Sequence, residues 1–325
     1  MRVVIPSRMG GVRLDALFDG LVEQGMDASG IVAVRDGDDA PWRPSRWAPH
    51  PVGPAKRLGF AGAADWGIRR ADSSHVLLLN DDLLPEEGLL EALSRRKADA
   101  PFVGCRILDG KGRRVEFDGG GMNVFGFALS LGHGEKPKKK EAAEVLFASG
   151  AAILIERKVY EDIGGYATGL FAYFEDMELG WRALRLGFQT LMEPRAAVRH
   201  EGQATSRGEP GLRERMMERN SLLSLAINCP ADTLSALLGL AWRFSLRRQR
   251  RARKRGWEAL ENGARRGRLA FPWAWGRVRG WRDRHPPLPG GLKKVAPILR
   301  QPVNPAFPEA LGERLLEEGW ALWQR

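Results

Sequence analysis

Apolar runs and amphipathic stretches alternate along the first 200 residues of the chain. Short apolar runs that are typical of buried strands span residues 2–6, 30–34, 74–79, 102–108 and 151–155. Apolar positions recur at helical spacing in residues 12–24, 59–71, 85–96 and 157–163. Strands that alternate with helices in this way predict an α/β fold with a mostly parallel sheet covered on both faces.

The pattern changes in the second half of the chain. Residues 177–186 predict a helix, and residues 189–192 and 197–199 predict two short strand segments. After about residue 210 the alternation ends and helical patterns dominate. We therefore predict an α/β domain over residues 1–210 and a helical extension over residues 211–325.

Composition narrows the class of protein. The chain has 325 residues, 43% of them hydrophobic, which suffices for a large folded domain. Its two cysteines, Cys105 and Cys229, exclude a disulfide framework and favour a reducing compartment. No signal-peptide pattern precedes the first strand, and polar residues interrupt the most apolar later stretch, residues 222–246. We predict a cytoplasmic protein without a membrane span.

The net charge of +11 is concentrated in the tail. Residues 243–300 hold 18 basic and 3 acidic residues, with four tryptophans interleaved and Trp242 directly before them. An element that lies on anionic lipid with its tryptophans at headgroup depth has this composition. So does a solvated or homo-oligomer-forming helix, and so does a nucleic-acid patch. We favour the membrane surface most and nucleic acid least.

An acidic cluster, Asn80-Asp81-Asp82, follows the apolar run of residues 76–79. Open α/β sheets place their chemistry at the carboxyl ends of buried strands. Because Mg²⁺ and Mn²⁺ favour hard oxygen ligands, such carboxylates could hold a divalent metal against a diphosphate, with Asp82 as the favoured ligand. The alternative is an ordinary strand-to-loop turn, which Asn and Asp also favour.

A second acidic pair, Glu175-Asp176, precedes the predicted helix of residues 177–186. A carboxylate there could deprotonate an acceptor hydroxyl. The alternative is a helix N-terminal cap formed by Asp176. The two roles are compatible, because capping hydrogen bonds favour the ionised form that a general base requires.

Two further features have structural and functional interpretations. His200 ends a predicted strand, where it could be a structural histidine, a metal ligand beside Asp82 or a diphosphate contact. Gly59 opens a helix with small residues over 59–64. Those residues favour close helix–sheet packing, and they would also allow the backbone to approach a donor phosphate or sugar.

Taken together, these blocks resemble family 2 glycosyltransferases of the GT-A fold, most closely the bacterial rhamnosyltransferase type. The matching residues are Val4-Ile5-Pro6-Ser7-Arg8, Leu58-Gly59-Phe60-Ala61-Gly62, Asn80-Asp81-Asp82, Ser149-Gly150-Ala151-Ala152, Gly164-Gly165-Tyr166, Tyr173-Phe174-Glu175-Asp176, Arg199-His200-Glu201 and Arg219-Asn220. They occur in family order over roughly residues 1–225. The resemblance implies a Rossmann-like sheet that binds nucleoside-diphosphate sugars.

The resemblance also implies roles for individual residues. Asp82 matches the metal-binding acid, and His200 matches a histidine near the metal and diphosphate. Asp176 matches the catalytic base, with Glu175 beside it. On the donor side the family pattern points to five residues: Pro6, Arg8, Asp36, Gly59 and Asp81. The family usually has an acid where this chain has Arg35, so we place the donor contact at the neighbouring Asp36.

The implied reaction is an inverting transfer of one sugar, rhamnosyl- or galactofuranosyl-like, from a UDP- or dTDP-sugar to a glycan or lipid-linked acceptor. No Gln-x-x-Arg-Trp motif is present, so we expect single addition and not polymerisation. We place the protein at the inner face of a membrane. Two other functions are alternatives. A sugar-phosphate nucleotidyltransferase would need a Gly-rich phosphate loop, which the sequence near Arg8 does not have, and a non-catalytic nucleic-acid-binding protein would leave Asp82 unexplained.

Overall fold

The computed structural model describes residues 1–39, 41–43, 45–47, 50–201, 211–287 and 313–324. The domain boundary predicted near residue 210 lies outside the described residues. So does the last part of the basic segment, residues 288–300.

Eleven strands occur in the described residues. They are β1 (Arg2–Ser7), β2 (Ile31–Arg35), β3 (His75–Leu79), β4 (Leu83–Pro85), β5 (Phe102–Asp109), β6 (Val115–Phe117), β7 (Gly120–Met122), β8 (Ala128–Ser130), β9 (Ala143–Val145), β10 (Ala152–Glu156) and β11 (Thr190–His200).

Nine α-helices accompany them in the same ranges. They are α1 (Val12–Glu23), α2 (Gly59–Arg70), α3 (Leu89–Arg96), α4 (Arg157–Asp162), α5 (Glu175–Arg185), α6 (Leu212–Asn228), α7 (Ala231–Lys254), α8 (Glu258–Arg284) and α9 (Glu313–Trp323). None of these helices combines the length and apolarity that a membrane crossing requires.

The central sheet has the order β2-β1-β3-β10-β5-β11-β4. Strands β2, β1, β3, β5 and β11 point in one direction, whereas β10 and β4 run antiparallel to their neighbours. The prediction of a mostly parallel sheet is therefore confirmed. Parallel neighbours need crossover connections, and these supply the helices that cover both faces.

Alternate side chains of each buried strand enter different cores. In β1, Val3 and Ile5 join one hydrophobic cluster with α1 and α3, while Val4 joins another with α2 and α4. Both faces are apolar because both are covered, which explains the nearly continuous apolar runs in the sequence. The two cores fix the sheet between its helices, so the strand ends become a rigid platform.

Two segment predictions were wrong in detail. The helix predicted to open at Pro85 begins at Leu89, because residues Leu83–Pro85 pair as an edge strand with β11. A proline is tolerated at a sheet edge, where its missing N–H costs no ladder bond. The two strand segments predicted after residue 188 form one strand, β11, whose pairing with β5 shifts register between Glu193 and Ala197.

The C-terminal helices pack directly on the α/β domain. Residues of α6 and α7 belong to the same hydrophobic cluster as β1 and β3. Trp323 of α9 is fully buried, lies 5.4 Å from the Trp181 ring and donates its indole N–H to Val124 O at 2.9 Å. A buried tryptophan with its N–H satisfied is a strong tertiary anchor.

Candidate active site

The predicted acidic residues meet at one edge of the sheet. Asp36 follows β2, Asp81 and Asp82 follow β3, and His200 ends β11. These strands are parallel, so their carboxyl ends lie on the same side, where open α/β sheets bind ligands.

A short backbone path joins the two acidic clusters. The Asn80 N–H donates to Ala151 O at 2.8 Å. The adjacent Gly150 N–H donates to the Asp176 carboxylate at 3.2 Å. Since β10 runs antiparallel beside β3, its first residues lie against the end of β3. Two clusters that are far apart in the chain therefore lie close together in the fold.

Asp81 is held by the end of β1. The Ser7 hydroxyl donates to Asp81 Oδ2 at 2.5 Å, and the Gly10 N–H donates to the same hydroxyl oxygen at 3.1 Å. Burial raises the pKa of Asp81 to about 6, the Ser7 hydrogen bond lowers it, and the neighbouring Asp82 raises it further. A carboxyl group with this pKa is mostly ionised at neutral pH and gains from a nearby cation.

Asp82 forms a chain of charges with His200 and Glu116. His200 Nε2 lies 3.1 Å from Asp82 Oδ2, and Nδ1 lies 2.7 Å from Glu116 Oε2. The hydrogen bond to Asp82 raises the pKa of His200 to about 9, so the ring is an imidazolium that donates to both carboxylates. The second oxygen of Asp82, Oδ1, is buried without a hydrogen-bond partner among the described residues.

Glu175 and Asp176 form the first turn of α5, with Phe174 at the N-cap position. Asp176 is therefore not the cap, although it accepts the N–H of Met177 at 2.8 Å as well as that of Gly150. Burial raises the pKa of Asp176, and these amides oppose that effect. Burial, and next the charge of Asp176, raise the pKa of Glu175 to about 8. Its buried Oε2 has no partner among the described residues.

The predicted donor-side residues are held by other parts of the chain. Asp36 accepts the N–H groups of Leu58 and Gly59, at 2.7 and 3.1 Å, and thereby anchors the start of α2. Arg8 pairs with Asp39 at 2.9 Å. Pro6 is buried within β1. All of these side chains lie near the carboxyl ends of β1 and β2.

The sequence interpretation did not assign site roles to Ser7, Glu116 or Asn220. Ser7 is the last residue of the buried strand β1, and a polar residue at that position is the signal that would have pointed to the site. Glu116 lies on the short strand β6, whose approach to His200 has no local signature. Glu116 and Ser7 are direct hydrogen-bond partners of the predicted residues His200 and Asp81.

Comparison with known proteins agrees with this geometry. The model of the family described as "Glycosyltransferase like family 2" matches residues 2–221. The chain belongs to this family. It is 25% identical over 204 residues to the pre-mycofactocin glycosyltransferase of Mycobacterium tuberculosis, in strains CDC 1551 and H37Rv. That match covers 60% of this chain and only 40% of the relative.

The fold is also shared with a solved glycosyltransferase. The crystal structure of GalNAc-T7 with UDP, GalNAc and Mn²⁺ superimposes with a TM-score of 0.63 over 87% of this chain and 54% of that chain, at 13% identity. The prediction of a GT-A fold is confirmed, as is membership of glycosyltransferase family 2.

Proposed function

We propose that this chain transfers one sugar from a nucleoside-diphosphate sugar to a hydroxyl group of a glycan or lipid-linked acceptor, with inversion at the sugar carbon. The observation that carries the proposal is the path from Asn80 through Ala151 and Gly150 to Asp176. It brings a candidate diphosphate site and a candidate base to one edge of a glycosyltransferase sheet.

The residues at Asp82 fit a divalent cation, Mg²⁺ or Mn²⁺. Asp82 Oδ1 is a buried oxygen without a partner in the described ranges, and His200 Nε2 lies beside the same carboxylate. Three or more acidic, His or Cys side chains that could hold a metal together do not occur in those ranges. Asp82 and His200 would therefore be the protein ligands, with diphosphate and water completing the shell. When bound, the cation neutralises charge that develops on the departing diphosphate.

Asp176 is the proposed base. It receives two backbone N–H groups, which favour the ionised carboxylate, whereas Glu175 has a buried oxygen without a partner and stays protonated near pH 7. Placing one proton on Glu175 relieves repulsion within the pair. The environments of adjacent carboxyl groups therefore give them different roles.

The proposed step is a direct displacement at the sugar carbon. The acceptor oxygen attacks the sugar carbon on the face opposite the diphosphate while its proton moves to Asp176. The bond from carbon to acceptor oxygen forms as the bond from carbon to diphosphate oxygen breaks. In this proposal Asp81 and Asp82 serve the leaving diphosphate and Asp176 serves the attacking acceptor, on the opposite faces of the sugar that an inversion requires.

We place the donor as a UDP- or dTDP-sugar of the rhamnosyl or galactofuranosyl type. GalNAc-T7, which shares the fold, was crystallised with UDP and Mn²⁺. A nucleotidyltransferase remains the weaker alternative, since family membership supports glycosyl transfer. A thermal-shift screen of UDP-, dTDP- and GDP-sugars, with and without Mn²⁺, tests the donor class. A metal-dependent rise for one nucleotide is expected, because ligand binding stabilises the native state.

Two site variants and one control test the roles of Asp82 and Asp176. Asp82→Ala should lose the metal-dependent rise, and Asp176→Asn should keep it while losing turnover. Asp232, an exposed residue at the start of α7, provides the matched control as Asp232→Asn. Near-normal turnover by Asp176→Asn would refute the base assignment, and no rise with any donor in folded wild type would refute the donor site.

We further propose that helix α8 rests on an anionic membrane surface at the inner, cytoplasmic face. Leu269 and Trp273 are 67% and 71% exposed, and their spacing places them on one helix face. Arg265 and Arg266 are exposed one turn away, and Arg277 lies 4.2 Å over the Trp273 ring. Basic residues near anionic lipid contribute about 1 kcal/mol each. This proposal keeps residues 1–210 as the catalytic domain and places the attachment surface on α8, within the helical extension of residues 211–325.

Vesicle flotation tests the attachment. Wild-type protein should float with phosphatidylglycerol vesicles and much less with phosphatidylcholine, and replacing both Leu269 and Trp273 by Glu should abolish flotation. Val12→Glu is the control, since Val12 is 81% exposed on a different helix. Flotation that survives the double replacement would refute this surface. Binding of that face to duplex DNA, or a concentration-dependent homo-oligomer lost in the double variant, would assign it to the rival occupants.

A further inference from the structure

The loop that precedes the acidic pair has an unusual backbone. Phe171, Tyr173 and Phe174 have φ values of 68°, 68° and 66°, and they are the only non-glycine residues with positive φ in the described part of the chain. Bulky residues rarely adopt such values, and each does so at an energetic cost. Phe171 also centres a strained γ-turn, in which Ala172 N–H donates to Leu170 O at 2.8 Å. Contacts from elsewhere must hold this loop.

Helix α6 supplies the largest group of those contacts. Asn220 is fully buried, and its Nδ2 lies 3.0 Å from Leu170 O, 2.8 Å from Ala172 O and 2.6 Å from Tyr173 O. Arg219 Nη2 donates to Leu170 O at 2.6 Å. Consecutive side chains of one helix thus bind three carbonyl groups of the loop.

A second contact fixes the orientation of the Asn220 amide. Arg219 Nε donates to Asn220 Oδ1 at 2.9 Å. Because a guanidinium only donates, the amide oxygen must face Arg219 and the amide NH₂ must face the loop carbonyls. Burial lowers the pKa of Arg219 to about 10, which still leaves it charged at neutral pH. Arg219 and Asn220 therefore act as one rigid donor unit.

Helix α2 holds the loop from the other side. Ala61 N–H donates to Phe171 O at 3.0 Å. Gly59 approaches so closely that a Cβ atom there would lie 2.4 Å from the same carbonyl oxygen. Gly59 is in turn fixed by the Asp36 carboxylate. The strained loop is thus held between the start of α2 and the middle of α6.

We propose that Arg219 and Asn220 are positioning residues for the transfer reaction. They hold residues 171–174 in the strained conformation that sets Glu175 and Asp176 at the start of α5. Neither side chain touches the reacting atoms in this arrangement, and the inference rests on the proposed role of Asp176. A displacement of about 1 Å at a reacting group can cost roughly 100-fold in rate, so the grip has a kinetic consequence.

Steady-state kinetics provide the first test, with the UDP-, dTDP- or GDP-sugar that stabilises the wild type. Asn220→Ala should lower kcat roughly 10- to 100-fold with less than about a 2-fold change in donor KM, because Asn220 forms its hydrogen bonds with the loop and with Arg219 and not with the proposed donor-binding residues. Asn228→Ala is the matched control. Asn228 is a buried asparagine of the same helix that donates to Glu178 and Ser224 O but not to the loop. It should lose stability while kcat stays within about 2-fold of wild type.

Hydrogen–deuterium exchange without any ligand provides the second test. Peptides covering residues 59–64 and 168–178 should exchange faster in Asn220→Ala than in wild type and in Asn228→Ala. Arg219→Lys is a milder variant for the case in which Asn220→Ala does not fold. A lysine cannot bind the Leu170 carbonyl and the Asn220 oxygen with one planar fork, so intermediate exchange and an intermediate kcat are expected.

The outcomes separate the inference from the proposed function. Faster exchange at 168–178 together with a lower kcat supports the positioning role. Unchanged exchange in Asn220→Ala and Arg219→Lys overturns it, whatever the activity. Normal kcat in a variant whose loop exchanges faster also overturns it. Wild-type protein that binds and turns over none of these sugar nucleotides refutes the proposed function, on which the positioning role depends.

Discussion

Glu175 is a buried acid whose removal should stabilise the protein. It is 6% exposed, and its Oε2 has no hydrogen-bond partner among the described residues. Burial, and next the charge of Asp176, raise its pKa from 4.5 to about 8. The glutamine in Glu175→Gln has nearly the same shape and carries no charge. The substitution therefore removes the cost of burying an ionisable group and little else.

The stabilisation expected from Glu175→Gln increases with pH. Between the unfolded pKa of 4.5 and the folded pKa of about 8, the folded state keeps a proton that the unfolded state has released. The free energy of unfolding of the wild type therefore falls as pH rises through this window. At pH 7 the accumulated difference is about 3 kcal/mol, from about 1.4 kcal/mol per pH unit. Below pH 4.5 it vanishes.

Urea unfolding of both proteins at pH 4.5 and pH 7.5 measures this difference. Glu175→Gln should nearly match the wild type at the lower pH and exceed it by about 4 kcal/mol at the higher pH. Glu87→Gln, at an exposed position, is the control and should change little at either pH. The reasoning fails if Glu175→Gln gains the same stability at both pH values, or loses stability at pH 7.5.

The same variant also tests the division of roles between the two acids. If Glu175 is protonated during turnover, Glu175→Gln should keep kcat within about 10-fold of wild type, whereas Asp176→Asn should lose the general-base contribution of roughly 100-fold or more. Comparable losses in the two variants would show that Glu175 has a further role in the reaction.

Three other predictions follow from single contacts. Gly59→Ala should destabilise the fold by well over ~1 kcal/mol in urea unfolding, because the new Cβ atom would collide with the Phe171 carbonyl. Gly88 also has a positive φ but has open space around it, so Gly88→Ala should cost only about 1 kcal/mol. Equal losses would contradict the close approach of Gly59 to Phe171. Mn²⁺ affinity measured by calorimetry should rise with pH up to about 9, since a proton must leave His200, and a flat profile would exclude His200 as a ligand. Ser7→Ala removes a hydrogen bond that lowers the pKa of Asp81, so metal-dependent donor binding should weaken at pH 6, and unchanged binding would refute that role.

Local patterns were enough to identify the main elements and the acids that end buried strands. The apolar run of residues 76–79 ending in Asn80-Asp81-Asp82 predicted a buried strand with acids at its carboxyl end, and β3 has that form. Such predictions succeed because side-chain alternation and turn preferences act over a few residues. The helix predicted at Pro85 failed for the opposite reason. Its first residue instead belongs to β4, which pairs with β11, a strand more than 100 residues away in the chain.

The sequence by itself therefore determined the order of strands and helices, the acids at the strand ends and the family. Only the tertiary structure decided which of those groups touch. Glu116 meets His200 across 84 residues, and Asn220 grips carbonyl groups about 50 residues away. These contacts carry no local signature, because they arise when sheet and helices pack and the energy of that packing offsets strain in the loop of residues 171–174.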